Sequence, residues 1–117
     1  MDGVLVVDKP SGPTSHDVVA WARRALRIKR IGHTGTLDPL ATGVLALVVG
    51  RATRLAQFLS SDSKAYTATI RLGVSTDTYD ALGTPIEPAR DASPTPARDV
   101  EAAAVESVLT LFRGHFE

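Results

Sequence analysis

The chain has 117 residues, 44% apolar and 22% charged, and its 13 Lys/Arg balance 13 Asp/Glu. That is about one domain of ordinary globular composition, and no apolar run nears the ~20 residues a membrane-spanning helix needs. Cysteine is absent and Met1-Asp2-Gly3 lacks the basic start of a secretory signal, so no disulfide or thiolate metal site can form and a cytoplasmic protein is expected.

In chain order, the apolar, β-branched run Gly3–Val7 predicts a buried strand, broken by loop chemistry in Asp8-Lys-Pro-Ser-Gly-Pro13. Thr14 can cap a helix, with Asp17 as a short version of the capping-box acid. Val18, Ala22, Ala25 and Leu26, with Val19 and Trp21 nearby, give that helix an apolar stripe. Arg23, Arg27 and Arg30 would share one face if the helix ran so far, either as a solvated face or as a track along an RNA backbone. Residues 31–42, rich in glycine and with Pro39, predict a long loop. Val44–Val49 reads as a central strand, and Leu55, Phe58 and Leu59 mark a short helix within Thr53–Ser60. Lys64–Leu72 alternates as a strand, with Tyr66, Ala68, Ile70 and Leu72 on one side. Ser75–Pro96 holds four of the seven prolines and reads as a loop or a pair of short edge elements, with Glu87–Ala97 as a surface insertion. Thr95-Pro96 makes an Ncap–N1 pair for a last helix bearing Val100, Ala104, Val108 and Leu111, stopped by Gly114. Strands and helices mix without regular βαβ alternation, which predicts an α+β fold with a mixed β-sheet and flanking helices.

The zero net charge hides an asymmetry. Residues 1–60 carry eight Lys/Arg against four Asp/Glu, a balance of +4, and residues 61–117 carry five against nine, a balance of −4. A basic half beside an acidic half suggests one face for a polyanion.

Residues 32–45, Gly-His-Thr-Gly-Thr-Leu-Asp-Pro-Leu-Ala-Thr-Gly-Val-Leu, concentrate the chemistry. Glycines allow close backbone approach, Pro39 biases Asp38 towards extended geometry, and His33 offers a ring that stacks or hydrogen-bonds. One acid and one imidazole on a rigid loop before a buried strand make a plausible active-site loop. Two plainer readings stand beside it. Asp38 could be a turn residue and His33 a structural one. A phosphate loop is disfavoured, because the Lys-Ser/Thr ending of nucleotide-binding loops is missing.

The same run resembles the signature of the TruB family of pseudouridine synthases along its full length. Val6-Val-Asp-Lys-Pro-Ser-Gly-Pro-Thr-Ser-His-Asp17 resembles the family's N-terminal motif and Lys64-Ala-Tyr66 its second active-site motif. Leu72-Gly-Val-Ser-Thr-Asp-Thr-Tyr-Asp80 with Gly83 resembles the third. The resemblance implies a pseudouridine synthase fold and isomerisation of the T-loop uridine (position 55) of tRNA to pseudouridine, by a monomer that needs no cofactor or metal. It implies Asp38 as the nucleophile, attacking ribose C1′ or the base, and Tyr66 against the target base, where a phenol can stack and exchange a proton. The plainer reading of Tyr66 is a core aromatic on a strand. His33 would support the nucleotide once it leaves its stack, and Asp80 would join the electrostatic network around the acid, or else serve as a turn carboxylate. Lys9 and Lys64 would make structural or phosphate contacts.

The family's catalytic domain continues beyond this length, with a second half of its sheet, an arginine that pairs with the nucleophile, and usually a small RNA-binding domain. None of those motifs occurs here. Residues 1–117 therefore read as the N-terminal portion of the catalytic domain, incomplete at the C-terminus, with Val105, Leu109 and Phe112 of the last helix in want of a partner. A catalytically incomplete fragment that at most binds RNA is the alternative.

Overall fold

A computed structural model describes residues 1–86 and 100–115. They form two compact units, residues 1–66 and 67–117. The first contains strand β1 (Gly3–Lys9), helix α1 (Ser15–Leu26), strands β2 (Ile31–His33) and β3 (Gly43–Val49), a 3-10 turn (Gly50–Leu55) and a one-turn helix α2 (Ala56–Leu59). The second contains the two-residue strands β4 (Ser75–Thr76) and β5 (Pro85–Ile86), helix α3 (Ala102–Leu109) and a 3-10 turn (Thr110–Phe112). The class is α+β, as expected. Where a mixed sheet was expected, every described pairing is antiparallel.

In the first unit β3 is central, flanked by β1 and β2. Side chains alternate along β3, so Leu45, Leu47 and Val49 face one way and meet Val18, Val19 and Ala22 of α1 and Ile31 of β2. This is the core, and the completely buried Leu47 sits within it. Burying a leucine is worth about 1.5–3 kcal/mol, which ties helix and sheet together.

Helix α1 begins as its sequence predicts. Thr14 accepts the Asp17 amide on its hydroxyl, and the Asp17 carboxylate accepts the Thr14 amide at 2.8 Å. The Thr14 hydroxyl, also donating to that carboxylate, and the Thr14 amide together hold the Asp17 pKa below its usual value. A carboxylate lowered in this way stabilises the fold above its unfolded pKa, and the contribution is lost as pH falls through the lower folded value. Thr14→Ala should cost about 1 kcal/mol at neutral pH, and the deficit should shrink in acid, as urea titrations at both pH values will read.

The helix stops at Leu26 because Arg27 takes a left-handed conformation, φ 55°. The expected Arg23/Arg27/Arg30 stripe therefore breaks, and Arg30 turns away to donate from Nε to the Thr53 hydroxyl at 2.7 Å. The expected loop over residues 31–42 is shorter too. Ile31 is too apolar to stay in solvent and pairs with Val49, which makes β2 a strand and leaves residues 34–42 as loop.

Strand β1 forms but is not the buried strand its composition predicts. Val4 and Val6 are 53% and 65% exposed, and Leu5 is exposed as well. The register sets Val4 and Val6 opposite Val48 and Ala46, on the face turned away from α1. Strand and turn meet at Gly50, whose φ of +61° suits glycine and whose added Cβ would strike Asp2 and the Met1 carbonyl. Asp2 in turn pairs with Arg51 at 2.7 Å.

Residues 64–72 form no strand, and all are exposed. Their alternation suits a half-buried strand, but among the described residues no other strand pairs with them. The short helix near 53–60 is present, split between the 3-10 turn and α2, with Leu55 and Phe58 exposed. In the second unit β4 and β5 are the expected pair of short elements. Helix α3 starts from Glu101 and buries none of its residues, and Gly114 follows its 3-10 turn at φ +119°. The Thr95-Pro96 cap and the Glu87–Ala97 insertion lie outside the described residues.

A candidate active-site loop

The loop between β2 and β3 is held from beneath by residues of β1 and α1. Lys9, the last residue of β1, is fully buried and its ammonium donates to the carbonyls of Ala41 at 2.7 Å, Pro10 at 3.0 Å and Pro39 at 3.2 Å. An ammonium has three protons and here has three acceptors, so its burial is compensated. The Pro39 carbonyl also accepts the Gly12 amide at 2.8 Å. On the other side of Asp38, buried Ser15 makes a reciprocal pair with Leu37, accepting its amide at 2.9 Å and donating to its carbonyl at 3.1 Å. The Asp38 carbonyl itself accepts the Ala41 amide, closing a tight turn.

Asp38 thus stands between two peptides fixed by three different residues. Its own side chain is exposed, and no hydrogen bond or ion pair among the described residues engages its carboxylate. The peptide is rigid and the acid is free, which is what a nucleophile needs.

Beside the loop is a cleft of about 410 Å³, lined by Thr34–Leu37, by Val44–Ala46 of β3 and by residues 62–66, including Lys64 and Tyr66. Tyr66 is 68% exposed there, which removes the reading of it as a core aromatic. Lys64 passes over Gly35, where an added Cβ would lie 3.3 Å from its Cε. Its ammonium donates to the carbonyls of Ser60 at 2.7 Å and Asp62 at 2.8 Å, closing off the end of α2. His33, half-buried at the end of β2, meets the ring of His16 edge-on, with centroids 5.1 Å apart and planes at 86°. Its Nδ1 is buried and has no partner among the described residues.

The predicted residues therefore separate into groups. Tyr66 and Lys64 share the cleft with the residues leading to Asp38, and Lys9 lies under the loop, closed to any phosphate. Asp80 belongs to the second unit, where its Oδ1 accepts the Leu82 amide at 2.8 Å and the Thr78 hydroxyl at 2.9 Å. Those bonds, the amide first, lower its pKa, as suits a carboxylate that shapes a turn. Gly83 closes the same turn, where an added Cβ would strike Thr78 and Asp77.

Sequence reasoning missed Ser15, Gly12 and His16 as parts of this arrangement. Their position inside the same N-terminal motif as Lys9 was the available signal, since nothing in helical periodicity marks a serine at the first helical position as a loop anchor. Among the described residues no cluster of His, Asp and Glu could hold a metal ion. No described helix is long and apolar enough to cross a membrane.

Comparison with known proteins gives a consistent picture. The family described as "TruB family pseudouridylate synthase (N terminal domain)" matches residues 23–117. The chain is 53% identical to tRNA pseudouridine synthase B of Symbiobacterium thermophilum over 117 residues, covering 100% of this chain and 37% of that protein. It is 54% identical over 113 residues to the same-named protein of Thermobifida fusca, covering 97% and 36%. The chain thus spans a little over a third of the length of these relatives. Among solved structures it is similar to an H/ACA RNP bound to a substrate RNA containing 2′-deoxyuridine, at 52% identity and a TM-score of 0.47, covering 48% of this chain and 18% of that one. An archaeal box H/ACA sRNP complex gives 56% identity and a TM-score of 0.46, covering 47% and 18%.

Proposed function

We propose, from the premise that the chain belongs to the TruB family of pseudouridylate synthases, that it is the N-terminal portion of the catalytic domain of an enzyme converting the T-loop uridine of tRNA to pseudouridine. The observation that carries this reading is the fixed peptide and free carboxylate of Asp38. Lys9 and Gly12 hold Pro39, Ser15 holds Leu37, and nothing described occupies the acid between them.

Asp38 is the nucleophile in this account. Its carboxylate attacks ribose C1′ or the base, the N1–C1′ bond breaks, and the base turns and rejoins through C5. The bond to Asp38 breaks as the base rejoins, the C5 proton leaves to solvent and N1 takes up a proton, so atoms balance and no cofactor is consumed. Tyr66, on the cleft beside the loop, lies against the target base and assists removal of that proton. His33, backed by His16, supports the nucleotide once it has left its stack. Lys64 stands at the mouth of the cleft for a phosphate contact, and Asp80 holds the turn of the third motif. Residues of the length that the relatives add complete the pocket. The enzyme works in the cytoplasm, where tRNA is its partner.

The location of the product tests this reading. A tRNA transcript incubated with the Thermobifida fusca relative carrying this chain in place of its corresponding segment, and then digested, should yield pseudouridine at one T-loop uridine. Pseudouridine elsewhere in the tRNA, with none in the T-loop, would contradict the assigned substrate position.

A further inference from the structure

Helix α1 has two ends with different tasks. At its first residue Ser15 fixes the active-site loop, and at its last turn the chain gathers Arg23, Arg24, Arg27 and Lys29 around a concavity of about 490 Å³ floored by Ile28. The left-handed Arg27 brings this cluster about, since it turns the chain so that Lys29 returns towards Arg23 and Arg24. Among the described residues, none of the four cations is paired with a carboxylate. Among the described residues one acceptor is engaged, the Ile31 carbonyl, which takes Arg23 Nη2 at 2.6 Å.

Basic residues in a last helical turn have an ordinary reason, because the helix dipole leaves about half a negative charge there. Half a charge does not balance four. The cations repel one another, and a polyanion lying along them would relieve that repulsion. Resting on the reading above, we propose that this concavity is a second contact surface, for the phosphate backbone of the RNA whose target nucleotide enters the cleft at the other end of α1. The 12 residues of α1 span about 18 Å, short enough for one structured RNA to reach both ends. An anionic membrane surface is the weaker occupant, since Ile28 is half-buried and the concavity offers no exposed apolar side chain to insert between lipids.

The test is a titration of this chain with unmodified tRNA transcript across a salt series. It compares the unaltered protein, the triple variant Arg24→Gln/Arg27→Gln/Lys29→Gln, and a control of equal charge, Arg54→Gln/Arg71→Gln/Arg113→Gln. Arg23 is kept because it holds the Ile31 carbonyl. Circular dichroism of each variant confirms that α1 is intact. The cluster variant should bind at least about tenfold more weakly, with a salt slope shallower by about two to three, while the control stays near the parent. Equal weakening by both variants would reduce the effect to net charge and overturn the proposal. Affinity for the transcript unchanged in the cluster variant would overturn it while leaving the tRNA reading in place, and no salt-dependent binding by the parent would overturn both. Preferential capture by phosphatidylserine vesicles over RNA would assign the surface to membrane and overturn it as well.

Discussion

Lys9→Met should lose the loop around Asp38 before it loses the sheet. The methionine keeps the length and apolar stem of the lysine, but its thioether cannot donate to the three carbonyls that the ammonium satisfies. Pro39 keeps the Gly12 amide, whereas the Ala41 and Pro10 carbonyls lose the one donor they have among the described residues. Hydrogen bonds from charged donors contribute about 1.5–3 kcal/mol each, and an orphaned buried carbonyl costs a further amount of similar order. Removing the ammonium also relieves the desolvation cost of a buried charge, so the net destabilisation expected is smaller, about 3 kcal/mol, a fall in Tm of the order of 10 °C. The local signature distinguishes this from general loosening: the Leu37 and Ala41 amides should exchange with solvent faster, while those of β3 keep most of their protection. Uniform loss of protection across β1, β3 and the loop would show instead that Lys9 supports the whole unit.

Asp38→Asn should do the reverse, leaving the fold alone and removing the chemistry. The side chain is exposed and unengaged, so the substitution should change stability by less than about 0.5 kcal/mol. An amide is no substitute for a carboxylate nucleophile, and a loss of at least about 10⁴-fold in the rate of the chemical step is expected. Affinity for tRNA should hold or rise slightly, because one negative charge facing a polyanion is gone. Single-turnover product formation and equilibrium binding, measured on one preparation, separate the two effects. A variant that loses binding along with turnover would make Asp38 a contact residue and not the nucleophile.

These two residues also show what the sequence discloses. Asp38 could be singled out because its neighbours are informative: glycines and a proline restrict the backbone, and the run around it resembles a family signature along its full length. The Thr14 cap and β3 were equally legible, since capping and a bounded apolar run are local properties. Lys9 was legible only as one of two readings, structural or phosphate-binding, and its three acceptors were not. A lysine is ordinarily on the surface, and only the three-dimensional return of residues 39–41 over the end of β1 gives its protons their acceptors. Ser15 was hidden for the same reason, as its partner Leu37 lies 22 positions away. The predicted strand over Lys64–Leu72 failed because alternation states which faces a strand would have, not whether another strand pairs with it. Arg27 failed through one backbone angle, which helical periodicity carries no information about.

Release of tritium from C5 of uridine-labelled tRNA tests the central claim most directly, since that proton must leave when the base rejoins through carbon. The assay uses this chain in place of the corresponding segment of the Thermobifida fusca relative, in single-turnover excess, with Asp38 and with Asp38→Asn. The account predicts release of one T-loop equivalent by the Asp38 protein and none by the variant. Equal release by both would contradict it.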